Sequence, residues 1–254
     1  MKTKKNGKTL RVAGLLLALV LVTSCFVGGT FAKYVTSGTG GDSARAAMFG
    51  VTVTVTGSDG VFAKSYASDT NGYTDNTVVA KAGVNYNVVA PGTKSSKPLA
   101  VTLAGTPEVA VKVTYTADDF YLTGNWLYND GQTGSQDVFY CPLIFKITGK
   151  INGAETTETI NCLEKSSADD VKTAVKTALA KFDTSYLAGT DLSTAGGDGL
   201  KISWEWPFEG GESSQQTDAK DTYLGNLATA TDAESHNTIP AVHAFVTATV
   251  TQID

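Results

Sequence analysis

The sequence contains few of the residues that build catalytic and metal sites. Only two histidines occur, His236 and His243, seven positions apart, and neither belongs to a His-Glu-x-x-His motif. Zinc hydrolases usually place two histidines one helical turn apart with a glutamate beside them, so two exposed histidines are the simpler interpretation. A Gly-x-Ser-x-Gly nucleophile elbow is also missing. The sequence therefore favours a protein without enzymatic activity, and no cofactor is predicted.

Basic residues are scarce beyond the first eleven positions, which hold five of the 20 lysines and arginines. The apolar run that follows, Val12 to Val22, is too short to span a bilayer comfortably but suits the core of a signal peptide. Removal of residues 1–32 would leave 15 basic and 25 acidic residues, a net charge near −10. Nucleic acids and anionic membrane surfaces both attract basic clusters, so neither is expected as a partner.

Two processing sites follow the apolar run. Thr30-Phe31-Ala32 has the small-x-small pattern of a signal-peptidase site, which predicts cleavage between Ala32 and Lys33. Val22-Thr23-Ser24-Cys25 resembles a lipoprotein box and would instead leave Cys25 lipidated and the protein anchored. An uncleaved membrane anchor is the third alternative. The membrane is therefore a partner only through this segment, and we predict a secreted protein of the extracellular matrix or cell surface.

These observations predict three parts of the chain: a signal peptide at 1–32, an extended segment at 33–47 that is a candidate donor strand, and a β domain at 48–254.

Cys141 and Cys162 are the other cysteines of the chain. The segment between them reads as two strands joined at Asn152-Gly153, a strong signal for a two-residue β-turn. Folding about this turn brings the cysteines nearly opposite one another. An even pair in an exported protein can form a disulfide, and two buried free thiols are the alternative.

Alternation of apolar and polar residues dominates the chain. "VTVTVT" predicts a half-buried strand with Val51, Val53 and Val55 on its core face. "LKISWEW" places Leu200, Ile202, Trp204 and Trp206 on one side. The remaining predicted strands lie at 84–90, 99–103, 109–115, 138–148, 154–162 and 242–250. About eight strands separated by Gly, Asn, Asp and Pro turns are typical of an all-β, antiparallel, jelly-roll-like or immunoglobulin-like β-sandwich.

One segment departs from this alternation. "SSADDVKTAVKTALAKF" has Ser166 or Ser167 as a candidate N-cap, acidic residues in the first turn, and apolar residues at helical spacing. It predicts a single amphipathic helix near 167–182, inserted into the sandwich and docked by one apolar stripe. The polar segments 188–199 and 209–237 are predicted to be surface loops.

Three further patterns suggest chemistry. "GDSAR", with Ser43, together with Asp232 and His236, superficially resembles a Gly-Asp-Ser esterase, but no apolar strand precedes Gly41 to hold the serine. Asp69, Asn71 and Asp75, with the Tyr73 carbonyl between them, present oxygens at every second position as calcium loops do, yet the bidentate glutamate is missing. In "WEWPFE", Glu205 and Glu209 could be a carboxylate pair and the tryptophans a sugar platform. Strand alternation favours core packing of both tryptophans.

Three stretches of the chain are distinctive: "GGTFA" before the predicted cleavage site, "APGTKSSKPLAVTLAGTPEVAVKVTYTADDF", and the late "ISWEWPFEGG…DTYLGN…VTATVTQID". With these stretches the chain resembles the TasA/camelysin family of secreted matrix-fibre proteins of Gram-positive bacteria. The first is similar to the family's junction for a SipW-type signal peptidase. The second matches a Pro-Gly turn followed by a strand, a Gly turn and another strand.

The resemblance implies a jelly-roll sandwich with helical additions that polymerises with itself, and with other matrix proteins as further partners. It also implies that the mature N-terminal segment completes a sheet in the next subunit. Main-chain hydrogen bonds can supply the affinity of such a strand, so small side chains suffice. Residues 33–47, an assembly segment that begins at Lys33, have this character, and the side chains able to fill pockets are Tyr34, Val35, Met48 and Phe49. A flexible leader, a camelysin-type metallopeptidase and a lipid-anchored binding module remain the alternatives.

Overall fold

A computed structural model describes residues 12–17, 45–56, 61–67, 78–81, 87–151, 153–195, 199–207, 214–228 and 239–253. The chain divides into two units, residues 1–46 and 47–254. In the first unit, residues 12–17 are helical and carry exposed apolar side chains. No helix within the described ranges is long and apolar enough to cross a membrane. The second unit contains all the strands described below.

Short antiparallel strands make up most of the second unit. The strands are β1 Thr52–Thr56, β2 Ser65–Ala67, β3 Val78–Lys81, β4 Thr93–Lys94, β5 Leu99–Ala104, β6 Val111–Thr116, β7 Tyr121–Thr123, β8 Leu127–Tyr128, β9 Val138–Phe139, β10 Ile144–Ile151, β11 Ala154–Asn161, β12 Thr184–Tyr186, β13 Leu200–Trp206, β14 Ala241–His243 and β15 Thr247–Gln252. The helices are α1 Ala168–Ala180, α2 Leu192–Ala195 and α3 Ser214–Leu227.

The strands form one large sheet, one three-stranded sheet and three small two-stranded sheets. The large sheet has the order β1-β5-β13-β10-β11, and β4 also pairs with β13. The three-stranded sheet has the order β12-β6-β15. All ladders are antiparallel. The two larger sheets contact each other through Leu103 of β5 and Val113 of β6, both buried. The prediction of a strand-dominated, antiparallel fold is therefore confirmed.

Strand β13 shows how the alternating pattern is satisfied. Its four apolar residues, Leu200, Ile202, Trp204 and Trp206, are all buried, while the residues between them are half-buried on the opposite face. The Trp204 ring stacks on Phe62 at a centroid distance of 5.4 Å, and its Nε1–H donates to the Val61 carbonyl. A buried indole needs such an acceptor. Both tryptophans are therefore core residues, as predicted, and not a sugar platform.

The hairpin predicted about Asn152-Gly153 is present. Strands β10 and β11 pair over eight residues each, and Ile151 lies opposite Ala154 at the turn. Gly153 has a φ of +80°, a conformation that costs residues with a Cβ free energy and explains the glycine. Asn152 is outside the described residues.

Helix α1 also follows the prediction. Ser167 is the N-cap, and its hydroxyl accepts a hydrogen bond of 3.1 Å from the Asp170 N–H. One stripe is buried, as the helical spacing predicts, and consists of Val171, Val175, Ala178 and Leu179. A capped helix with a single buried stripe docks on the core and leaves its polar face in water.

Two predicted strands are interrupted. The run at 242–250 forms β14 and β15, which pair with different partners, β7 and β6. Residues 244–246 cross between the two sheets and cannot join either ladder, which leaves Phe245 exposed. The run at 138–148 divides into β9 and β10, separated by a buried segment that contains Pro142, which has no N–H to donate to a ladder.

The predicted strand at 84–90 is described only in part, because residues 82–86 lie outside the described ranges. In its described part, Val88 forms an isolated bridge with Ala63.

The prediction of surface loops at 188–199 and 209–237 is wrong in part. The first segment contains the short helix α2, and the second contains the 14-residue helix α3. The α3 sequence, "SQQTDAKDTYLGNL", has no clear apolar stripe and includes a glycine, so its periodicity gave no helical signal. Tertiary contacts of Leu224 and Asp221, both buried, hold this helix in place.

Candidate assembly site

Strand β1 lies at one edge of the large sheet, and its exposure contradicts the sequence prediction. Val51, Val53 and Val55 were expected on the core face. All five residues of β1 are exposed instead, and Val51, which precedes the strand, is half-buried. Val53 and Val55 remain 36% and 49% exposed, even though they share the face of the buried Leu103 and Val101 opposite them. In the described part of the chain, β1 pairs with β5 alone. Within the described ranges, no other strand pairs with its outer backbone edge, and the valines of its apolar face stay partly exposed.

Native proteins usually protect an edge strand with charges, proline or a covering element. Strand β1 consists only of threonine and valine and has none of these residues. At the opposite edge of the sheet, β11 carries Glu155 and Glu158, and Glu158 pairs with Lys181 at 2.8 Å. The edge at β1 is thus suited to accept another strand, whereas the edge at β11 is protected.

Strand β15 offers a second uncharged edge. It has the sequence "TATVTQ" and, within the described ranges, pairs only with β6. Val51 and Val250 both pack on the small cluster formed by Leu103, Val113 and Leu192. At the other edge of the three-stranded sheet, β12 lines a depression together with Gly149 of β10 and Leu200 of β13. We call the outer edges of β1 and β15 together the open side.

The chain enters β1 through a fixed crossing point. The Met48 N–H donates to Glu108 Oε2 and the Glu108 N–H donates to the Met48 carbonyl, both at 2.9 Å. Gly50 and Gly105 then cross so closely that a Cβ on Gly105 would lie 2.0 Å from the Gly50 carbonyl oxygen. Both backbone polar groups of Met48 are therefore bonded to Glu108. The Met48 and Phe49 side chains are exposed beside the crossing.

Gly105→Ala tests this crossing. Gly105 has a φ of +109°, so the new methyl group would meet both a strained backbone and the Gly50 carbonyl. We expect a loss of at least about 2 kcal/mol in the free energy of unfolding, measured by urea denaturation. Gly131→Ala is the matched control, since Gly131 also has a positive φ, +72°, but no atom within 4 Å of its added Cβ. An equal loss in both variants would contradict the crossing and leave only backbone strain.

Several predicted site residues lie outside the described ranges. They are Cys25, Ala32, Lys33, Tyr34, Val35, Ser43, the calcium candidates Asp69, Asn71 and Asp75, and Glu209, Asp232 and His236. Of the others, His243 is half-buried and its ring stacks on Tyr121 at a centroid distance of 4.4 Å. Glu205 forms an ion pair of 2.9 Å with Lys146 on the outer face of the sheet. These contacts occupy His243 and Glu205 in local packing.

The structure brings Cys141 and Cys162 together, as the hairpin predicts. Both are fully buried in the main hydrophobic core and are present as free thiols. The two cysteines are thus members of one core cluster, and the disulfide stays a prediction.

A buried carboxylate forms a polar cluster that the sequence did not reveal. Asp221 of α3 is 7% exposed, and it accepts hydrogen bonds from the Tyr140 hydroxyl at 2.6 Å and from Trp206 Nε1–H at 3.3 Å. Burial raises the pKa of the Asp221 carboxyl above its ordinary value of 3.8, against the two hydrogen bonds that lower it, and Asp218 raises it further. Lys220 lies over the Tyr140 ring, 5.3 Å from its centroid. Asp221 thus anchors the polar helix α3 to the core. The sequence alone does not distinguish this buried carboxylate from the exposed Asp218 of the same helix.

Asp221→Asn tests the charge of this anchor. Because the pKa of Asp221 is raised in the folded state, the folded protein takes up a proton before the unfolded chain does as pH falls. The asparagine at position 221 of the variant is uncharged at every pH. As pH falls from about 7 to about 4, the unfolding free energy of the wild type should therefore rise relative to that of the variant. Denaturant unfolding of both proteins at the two pH values measures this. A difference in unfolding free energy that stays constant with pH would contradict the assignment.

Neither a metal-binding group among the described residues nor a similar known protein suggests a function. Among the described residues, no group of three or more His, Cys, Asp or Glu side chains could hold a metal ion. Comparison of the chain with family models, with characterised proteins and with solved structures found no match. The open side and the crossing at Met48 are therefore the features from which a function has to be argued.

Proposed function

We propose that this protein is a secreted structural subunit of an extracellular matrix or surface fibre, and that it assembles head-to-tail by donating its N-terminal segment to the next copy. The observation that carries this proposal is the exposed, uncharged edge of β1 with two apolar side chains on its uncovered face. An incoming strand would bond to the free main-chain groups of that edge, and Val53 and Val55 would be buried beneath its side chains.

The donor is the segment 33–47, which we call the arm. Fifteen extended residues span about 50 Å, whereas the five residues of β1 span about 17 Å. The arm is rich in small residues, and Tyr34 and Val35 are its larger side chains, able to fill a groove beside the edge. Its length therefore allows it to cover an edge on another copy.

The crossing at Met48 favours donation to a neighbour over folding back. A tight hairpin between the arm and β1 would need the backbone of Met48 near the turn, but both polar groups of that residue are bonded to Glu108. A tight hairpin onto the same copy's β1 is therefore disfavoured. An arm that binds the β1 edge of a second copy would form an open chain of subunits.

The resemblance to the TasA/camelysin family supports the same function, and the proposal includes a jelly-roll arrangement of the sheets, a signal peptide at 1–32 and no enzymatic activity. Other matrix proteins could join the fibre through the same edge. Filament formation by protein that begins at Lys33, compared with protein that begins at Met48, tests the proposal.

A further inference from the structure

Cys141 and Cys162 lie at the base of the long hairpin. Cys141 is in the buried segment before β10, and Cys162 follows β11 directly. The Cys162 N–H donates to the Leu143 carbonyl at 3.0 Å, so the pairing of the two chains continues past the end of the ladder. Both thiols belong to the main hydrophobic core and are fully buried. The paired backbone at the base of the hairpin and the shared core place the two cysteines at neighbouring positions of the fold.

We propose that Cys141 and Cys162 form a disulfide, and that the bond forms while the chain folds and not after folding is complete. The oxidant is a disulfide, either a small molecule such as oxidised glutathione or an oxidised thiol–disulfide oxidoreductase. One cysteine thiolate attacks a sulfur of the oxidant and forms a mixed disulfide, which releases one thiol. The other cysteine thiolate then attacks the mixed disulfide, forms the internal S–S bond and releases the second thiol. The two cysteines lose two electrons and two protons, and the oxidant gains them.

Burial is the reason for the order of events. Both residues have 0% exposed surface in the folded protein, so an oxidant cannot reach either sulfur. Burial also raises the pKa of the Cys141 thiol well above its ordinary value, with the neighbouring Cys162 as a further cause. The thiolate is the attacking species, and the folded core therefore suppresses both its formation and its access. Oxidation of the folded protein has to wait until the core opens.

The bond would close a loop that contains β10, β11 and their turn. These are the two longest strands of the large sheet, and β10 pairs with both β11 and β13. A covalent link at the base of the hairpin removes conformations from the unfolded chain, so the oxidised form should unfold at a temperature higher by roughly 5–15 °C. This role does not depend on whether the protein forms fibres.

The test uses the full chain with Cys25→Ser, so that Cys141 and Cys162 are its only thiols. In one sample the protein is unfolded, reduced and refolded with oxidised and reduced glutathione. In the other, the folded and reduced protein receives the same glutathione mixture. Intact mass follows the loss of about 2 Da per disulfide, and peptide mapping without reductant identifies the linked cysteines. Cys141→Ala in the same background is the control that cannot form the bond.

We expect the refolded sample to contain the Cys141–Cys162 link in nearly all molecules. The folded sample should oxidise at least about 100-fold more slowly and should accelerate when mild denaturant opens the core. Refolded protein that carries free thiols or glutathione adducts in place of the link would overturn the disulfide. Equal rates in the two samples would overturn the proposed order of folding and oxidation.

Discussion

Protein that begins at Lys33 is expected to form filaments, and protein that begins at Met48 is expected to remain monomeric at the same concentration. The physical reason is that the shorter protein keeps the acceptor edge at β1 but has no arm to bind it. The contacts of Met48 with Glu108 are retained in both proteins, and the unit 47–254 is compact by itself. Size-exclusion chromatography and negative-stain microscopy measure the difference.

A thermal unfolding scan of the Met48 protein is the control for folding, since a cooperative transition shows that the body is intact without the arm. A synthetic peptide of residues 33–47, added to the Met48 protein, should bind one copy per body and leave it monomeric. Filaments from both proteins would show that assembly does not need the arm. Monomers from both would favour a flexible leader that holds the domain away from the cell surface.

Lysine at the exposed valines of β1 is expected to block assembly while the fold survives. Val53→Lys and Val55→Lys, made in the Lys33 protein, place charges on the face that the arm of the next copy would cover. Edge strands with charged side chains resist strand addition, because the ammonium group would lose water on pairing. Each substitution should raise the critical concentration for filament formation at least about tenfold, which corresponds to about 1.4 kcal/mol per subunit contact. Sedimentation of the polymer measures that concentration.

The matched control is Val138→Lys in β9. Val138 is 62% exposed, more than either valine of β1, but it lies in a separate two-stranded sheet with β8. The control should polymerise like the wild type, and all three variants should unfold at nearly the same temperature because no buried group is changed. If Val138→Lys weakened assembly as much as Val53→Lys, a general effect of added charge would explain the result and β1 would not be the acceptor.

Some of the elements on which these predictions depend could be predicted from the sequence, and others could not. The N-cap and apolar stripe of α1, the turn at Gly153 and the alternation in β13 were all correctly predicted. Each of them is local, because one short window contains both the polar residues that end the element and the apolar residues that it buries. The disulfide candidates came together for the same reason, since a two-residue turn fixes the register of everything that follows it.

The exposure of β1 could not be predicted in this way. Its pattern is the same alternation as in β13, but burial depends on what packs on a strand, and the residues of β1 are exposed whereas the apolar residues of β13 are buried. Helix α3 was missed because its anchor is a carboxylate, whose burial depends on Tyr140 and Trp206 from distant parts of the chain. The division of the last run into β14 and β15 likewise follows from a change of partner sheet, which no local pattern records.

The sequence by itself determined that the chain is rich in antiparallel strands, where its longest hairpin turns, where its amphipathic helix begins and that its second half carries two cysteines able to meet. Only the tertiary structure decided which alternating strands are buried and which edge stays open. The physical reason is that backbone geometry and turn preference act between neighbours in sequence, whereas burial and strand pairing are set by contacts between residues tens of positions apart.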